Sequence, residues 1–248
     1  METSTRSAET GGMLTVEEKL GVKTGTTGGR ASGGGHGVNL EVFVNKELDA
    51  IQKKASGKSQ EYAIIRESCN HVKGIVRSYA EAKDNGLAGS KYSMLQNGQG
   101  SLLPEEVTMP LISLLRSCLE SKNSGVVEPA LACIHKLIAY AYIQGETRPS
   151  GRLDDKKNMV NTVVLMSAKS ANNAPNASVQ LAAVKTLLTS TTAEHFVPHG
   201  DCLMLAVRTA FNISINGSTA DVRNAASSAL LQMLNTIFKR VAHQLVVR

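Results

Sequence analysis

Apolar residues in this chain recur at intervals of three and four, in several separate stretches. Between 219 and 244, Ala226, Leu230, Leu234, Ile237 and Phe238 form a stripe of period 3.6, the spacing of one helix face. Asn216-Gly217-Ser218-Thr219 stands just ahead of it, a turn followed by hydroxyls able to take up the free N–H groups of a new helix. A further amphipathic stretch, 199–215, precedes the turn. A helical hairpin of this kind cannot bury its own stripe and has to stack on neighbours.

Those neighbours repeat. Leu231, Leu234, Ile237 and Phe238 fall on Leu181, Val184, Leu187 and Leu188 after one step back of about fifty residues, and on Leu131, Ile134, Leu137 and Ile138 after a second. The step is a little longer than that of HEAT and armadillo-type repeats. The expected fold class is therefore all-α: an armadillo/HEAT-like stack of about eight antiparallel helices, an α-solenoid whose units touch mainly their immediate neighbours.

The remaining helices follow from the same periodicity. A helix over 39–54 turns Leu40, Phe43, Val44, Leu48 and Ile51 to one side, with Asn39 as its cap. A longer one over 60–83 turns Tyr62, Ile65, Cys69, Val72, Ile75, Val76 and Tyr79 inward, and the glycine-containing stretch 84–101 reads as a loop. In the next stretch, 102–121, Pro104 and Pro110 both bear on the helix start, and because proline fits a first helical turn the firm helix is placed from near Pro110, burying Leu111, Leu114, Leu115, Cys118 and Leu119. Helices over 125–143, 154–170 and 178–190 follow, the first carrying the earliest copy of the repeated stripe, with Ala141 counted in it. Residues 1–37 end in GTTGGRASGGGHG and offer nothing to pack. The expected organisation is a disordered Gly/Ser/Thr-rich tail, 1–37, and a helical-repeat domain, 38–248.

Low aromatic content and the absence of Trp suit packing through Leu, Ile, Val and Ala. No stretch resembles a membrane span or an N-terminal signal peptide. Cys69, Cys118, Cys133 and Cys202 are scattered within apolar stripes and read as reduced core thiols of a cytoplasmic protein. The N-x-S/T triplets at Asn176, Asn212 and Asn216 then carry no glycosylation meaning. The net charge of +6 lies wholly outside the tail, whose four basic and four acidic side chains cancel. It lacks dense Lys/Arg runs interleaved with aromatics, so nucleic acid is not an expected partner.

Catalytic chemistry finds no constellation. His195 and His199 stand four apart with Cys202 near, but Val197-Pro198 separates them and no second cysteine pair completes a metal set. Asp154 and Asp155 are adjacent at an expected helix start, where capping explains them. Hydrolase, zinc-protease and phosphate-loop motifs are all missing. The expectation is a binding module with no catalytic residue, no cofactor, no metal and no small-molecule substrate.

HKLIAYAYI (135–143), VQLAAVKTLLTS (179–190), VPHGDCLMLAVRTAFNI (197–213) and LLQMLNTIFKRV (230–241) resemble, in order, the motifs of one known region. It is the N-terminal DCB domain, for dimerisation and cyclophilin binding, of the large Arf guanine nucleotide exchange factors of the BIG family. The resemblance spans roughly residues 104–242, and the family commonly has Gly-His where Ala141-Tyr142 stands. It implies an armadillo-like stack acting as a non-catalytic regulatory scaffold, peripheral at trans-Golgi membranes. The implied partners are an Arf-like small GTPase, a second copy of the chain and the downstream regulatory domain of the same protein. Nucleotide exchange in such proteins belongs to a separate domain with an FRLPGE-type loop, absent from this sequence.

Four residues are candidate partner contacts. Lys136 and Tyr140, four apart, share a helix face and join apolar area to polar tips, the pair expected to meet the GTPase. Arg208 and Asn212 have the same spacing in AVRTAFNI, where Asn212 has the alternative role of bonding backbone at a helix end. The rival reading is a generic helical-repeat adaptor that binds cargo or nucleic acid through its basic surface.

Overall fold

Asn39 opens the first helix by accepting the Glu41 N–H on its Oδ1 at 2.9 Å, the cap that the sequence calls for. In a computed structural model of the chain, which describes residues 39–85, 103–147, 158–173 and 176–246, eight helices follow one another. They are α1 (Leu40–Lys54), α2 (Gln60–Asp84), α3 (Glu105–Glu120), α4 (Ser124–Ala139), α5 (Met159–Asn173), α6 (Ala177–Thr192), α7 (Gly200–Asn216) and α8 (Ala220–Val246). Two-residue strands β1 (Gly145–Glu146) and β2 (Phe196–Val197) pair in parallel and tie the connection after α4 to that after α6. That bridge is not legible in the loop-like sequence around it.

Helices α1, α4, α6 and α8 lie side by side in one layer, and α2, α3, α5 and α7 in the other. Each consecutive pair, α1–α2 to α7–α8, joins the layers, with one hydrophobic core running from Leu40 to Met233 between them. The fold is the expected all-α stack. Its first pair is inverted: α1 sits in the layer that later pairs fill with their second helix.

Several boundaries differ from expectation for identifiable reasons. Helix α3 starts at Glu105, a turn before Pro110. Pro104 holds the cap position, Glu105 and Glu106 face the positive end of the helix, and the Thr108 hydroxyl donates to the Pro104 carbonyl at 3.0 Å. Pro110 thus lies inside the helix, as does Pro129 in α4. Helix α4 stops at Ala139, not at 143, because Ala141 turns to a positive φ of 58° and the Ile143 N–H folds back to the Leu137 carbonyl at 3.1 Å. Ala141 is accordingly outside the buried stripe, and Ile143 is buried in its stead. Helix α5 takes Asn158 as its cap, the Asn161 N–H donating to Asn158 Oδ1 at 3.2 Å. Asp154, Asp155 and the tail at 1–37 lie outside the described residues.

The repeated stripe is buried in its first two copies, apart from half-buried Leu181, but not in the third. In α8 the core takes Val222, Ala226, Ala229 and Met233, while Leu230, Leu234 and Ile237 are half-buried and Leu231 and Phe238 exposed. Copies one and two lie between neighbours in their layer. The third lies at its edge, so one side of its apolar circumference is left uncovered.

The α7–α8 turn is tight. Gly217 donates its N–H to the Ile213 carbonyl at 2.8 Å, and a Cβ there would stand 2.6 Å from that oxygen and 2.9 Å from Val222 Cγ1. Gly217→Ala is expected to lower unfolding stability by about 1–3 kcal/mol, since backbone and a buried valine have to give way. Urea denaturation measures this, and an unchanged midpoint would show that the hairpin opens without cost.

Candidate partner-binding surface

HKLIAYAYI places its residues on two sides of α4. Leu137 and Ile138 enter the core. Lys136 turns to α1, its ammonium donating to Glu47 Oε1 at 2.6 Å, where Glu47 is buried on the inward face of that helix. Tyr140, the C-cap of α4, stays 42 % exposed and meets Phe43 edge-on, ring centroids 5.5 Å apart. Tyr142 also meets Phe43, ring centroids 5.7 Å apart and tilted. Lys136 and Tyr140, four apart, thus grip Glu47 and Phe43, also four apart. The pair is an internal clamp between α1 and α4 whose outer edge, chiefly the Tyr140 ring, reaches the surface.

Beside it, a groove of about 670 Å³ runs across α4, α6 and α8. Its apolar floor includes Leu181 and Ala182, and its polar rim includes His135, Lys185, Asp221 and Asn224. His135 Nε2 is buried and finds no hydrogen-bond partner among the described residues. Burial, reinforced by the Lys185 and Lys136 ammonium groups, pushes the imidazole down to about 4, so it is neutral at pH 7. Burial, with Lys136 adding to it, also holds Lys185 below the usual lysine range.

Arg208 and Asn212 are exposed on α7, in the other layer, so the four candidate contacts do not form one site. Asn212 lies beside Gln180 and Asn172 in a shallow pocket, one turn before α7 ends at Asn216, and so does not mark the helix end. His199 occupies the N-cap position of α7 and bonds Glu146 Oε1 through Nε2 at 2.6 Å, while Cys202 points inward toward the Val160 carbonyl and His195 is exposed in a turn. All four cysteines are buried and unpaired, and burial raises their thiols, Cys69 to about 11 and Cys202 to about 12. They are inert core groups. Among the described residues, no cluster of His, Cys, Asp and Glu could hold a metal ion.

Sequence reasoning missed Glu47, although its position among Leu40, Phe43, Val44, Leu48 and Ile51 is a usable signal. An acid on the apolar face of a helix has to be met by a cation from elsewhere.

Comparison with known proteins matches residues 36–245 to the family described as Mon2/Sec7/BIG1-like, dimerisation and cyclophilin-binding domain. The chain is 33 % identical over 212 residues to brefeldin A-inhibited guanine nucleotide-exchange protein 2 of Arabidopsis thaliana, covering 82 % of this chain and 11 % of that protein. It is 26 % identical over 205 residues to brefeldin A-inhibited guanine nucleotide-exchange protein 1 of Homo sapiens, with the same coverage. It is 27 % identical over 197 residues to the ADP-ribosylation factor guanine nucleotide-exchange factor sec71 of Schizosaccharomyces pombe, covering 79 % of this chain and 10 % of that protein. The chain thus spans about a tenth of the length of these relatives, within a non-catalytic region of such exchange factors.

Two outcomes follow from the geometry. Ala141→Gly is expected to stabilise the fold by about 0.5–1.5 kcal/mol, because glycine adopts the left-handed backbone without the Cβ clash that alanine bears. Thermal melting measures it, and a lower Tm would contradict the strain. Stability is also expected to decline as pH falls from about 6.5 to about 4. Over that range the unfolded chain takes up a proton at residue 135 that the folded chain refuses, so unfolding is favoured by acid. His135→Gln should show a shallower decline over the same range than the parent, and identical pH profiles would remove His135 as the cause.

Proposed function

Because this chain belongs to the Mon2/Sec7/BIG1-like family of dimerisation and cyclophilin-binding domains, we propose that it is a regulatory and scaffolding domain of a large Arf guanine nucleotide exchange factor. In this reading it mediates self-association, contacts the adjacent regulatory domain of its own protein and is recruited to trans-Golgi membranes through an Arf-like small GTPase. The observation that carries the reading is the coincidence of the family match with the folded stack: residues 36–245 are matched and the helices run from Leu40 to Val246. No helix among the described residues is long and apolar enough to cross a membrane, so attachment through a partner is consistent with the fold.

The α1–α4 clamp is the surface we assign to the GTPase. Tyr140 supplies exposed ring area at its edge, and Lys136 positions α4 against α1 beneath it. Arg208 and Asn212, on the opposite layer, would serve a different contact. Capture of a GTP-loaded Arf-like GTPase is expected to exceed capture of the GDP form. Tyr140→Ala should reduce it at least tenfold with helicity unchanged, and Lys136→Asp should reduce it further. Equal capture by all forms would reject this surface.

A further inference from the structure

The groove across α4, α6 and α8 contains polar groups that the fold leaves unmet. Two of its three walls, α4 and α6, have a layer neighbour on each side, so it is not an end face of the stack. The three helices run the same way. Strands β1 and β2, which follow α4 and α6, pair in parallel, and the chain bonds α6 near its start from Ser218, ahead of α8, and at its end from Arg240. The groove therefore has an acidic end, Glu128 and Asp221, and a basic end, Lys136 and Lys185 with His135, about two helical turns or 11 Å apart. Between them Ala132, Ala182, Ala225 and Ser228 are small enough for another stretch of chain to come close. At the basic end Lys136 is paired with Glu47, but Lys185 has no anion and His135 Nε2 no hydrogen-bond partner among the described residues. A half-buried cation beside an unbonded imidazole nitrogen calls for a carboxylate carried among apolar side chains.

We propose that the occupant is this chain's own segment MLTVEEKL (13–20), docked intramolecularly with Glu17 and Glu18 at Lys185 and His135. The glycine run closing the tail offers nothing to pack, but Met13, Leu14, Val16 and Leu20 cluster ahead of it around those two adjacent acids. Lys19 and Lys23 follow the acids, so the segment also brings cations for Glu128 and Asp221, where a uniformly acidic ligand would be repelled. The tether starts close by. Helix α1 runs against α4, so Asn39 stands past the Tyr140 end of α4, on the order of 15 Å from Lys136. Residues 21–38 link it to the segment, and a glycine-rich tether of that length spans about 25 Å root-mean-square, enough to bring Leu20 over the groove. Such a tether holds the segment at an effective concentration on the order of a millimolar, so a weak contact suffices.

Paramagnetic broadening in the full 248-residue chain tests this. A nitroxide attached through Gly12→Cys adjoins the segment, and the four native thiols are buried and do not take the label. The amide signals of Ala182 and Ala225 are expected to lose at least half their intensity on labelling, whereas that of exposed Ile64 on α2 keeps its own. Tenfold dilution should change nothing; loss of broadening on dilution would put another molecule's tail in the groove and overturn the proposal. Glu17→Lys with Glu18→Lys, which alters the tail alone, should abolish the broadening, and Lys185→Glu should do the same with unchanged circular dichroism. Combining the three substitutions should restore at least half of it, an effect that a damaged fold would not give. No broadening in the parent, or equal broadening in every variant, would reject the segment as the occupant.

Discussion

Helix α6 has to be buried on nearly every side, and the stack is arranged to meet that requirement. It packs against α4 and α8 within its own layer and against α5 and α7 in the other. Val179, Ala183, Val184, Leu187 and Leu188 enter the core, and so do Thr186, Thr189, Ser190 and Thr191. Buried hydroxyls are costly without partners. Here they donate to backbone carbonyls: Thr189 to Lys185 at 3.0 Å, Ser190 to Leu187 at 2.8 Å, Thr191 to Leu187 at 2.9 Å. Thr186 bonds Ala182 at 2.8 Å and reaches Leu131 of α4 at 3.2 Å. Satisfied in this way, TLLTSTT behaves as core, and both layers close around it.

The two ends of the stack differ because they lack a neighbour in different ways. At the first end, α1 occupies the layer that later pairs fill with their second helix, so it packs directly on α4. That contact carries the Lys136–Glu47 ion pair and the Phe43–Tyr140 ring pair. At the other end, α8 covers α6 with Val222, Ala226, Ala229 and Met233 and leaves Leu231 and Phe238 in solvent. Among the described residues, α8 has a neighbour in its layer on one side alone, and Leu231 and Phe238 are left exposed. The regulatory reading uses the first contact.

Much of the candidate surface was legible locally, and its failures were non-local. Caps were read well: Asn39 and Thr219 both hold the N–H groups assigned to them. Pro110 was read as a helix start because proline fits the first turn, but Pro104 and the two glutamates after it open the helix earlier. Ala141 was counted in the buried stripe because it lies four and three residues after Leu137 and Ile138, whereas the reversal of the chain into buried Ile143 sets its φ at 58°. Lys136 was read as a partner contact because it shares a face with Tyr140 away from the buried stripe, whereas its ammonium turns to Glu47, 89 residues away in sequence.

By itself, the sequence determined that this protein is a row of amphipathic helices, roughly where each begins, and that leucine-type stripes recur about every fifty residues. Those properties depend on periodicity and capping, which act within a few residues. Only the tertiary structure decided which helix stands in which layer, that the first pair is inverted, that Lys136 and Tyr140 clamp α1, and that one copy of the stripe remains in water. Each depends on which neighbour is present in space. A local pattern specifies that a stripe wants covering, not what covers it.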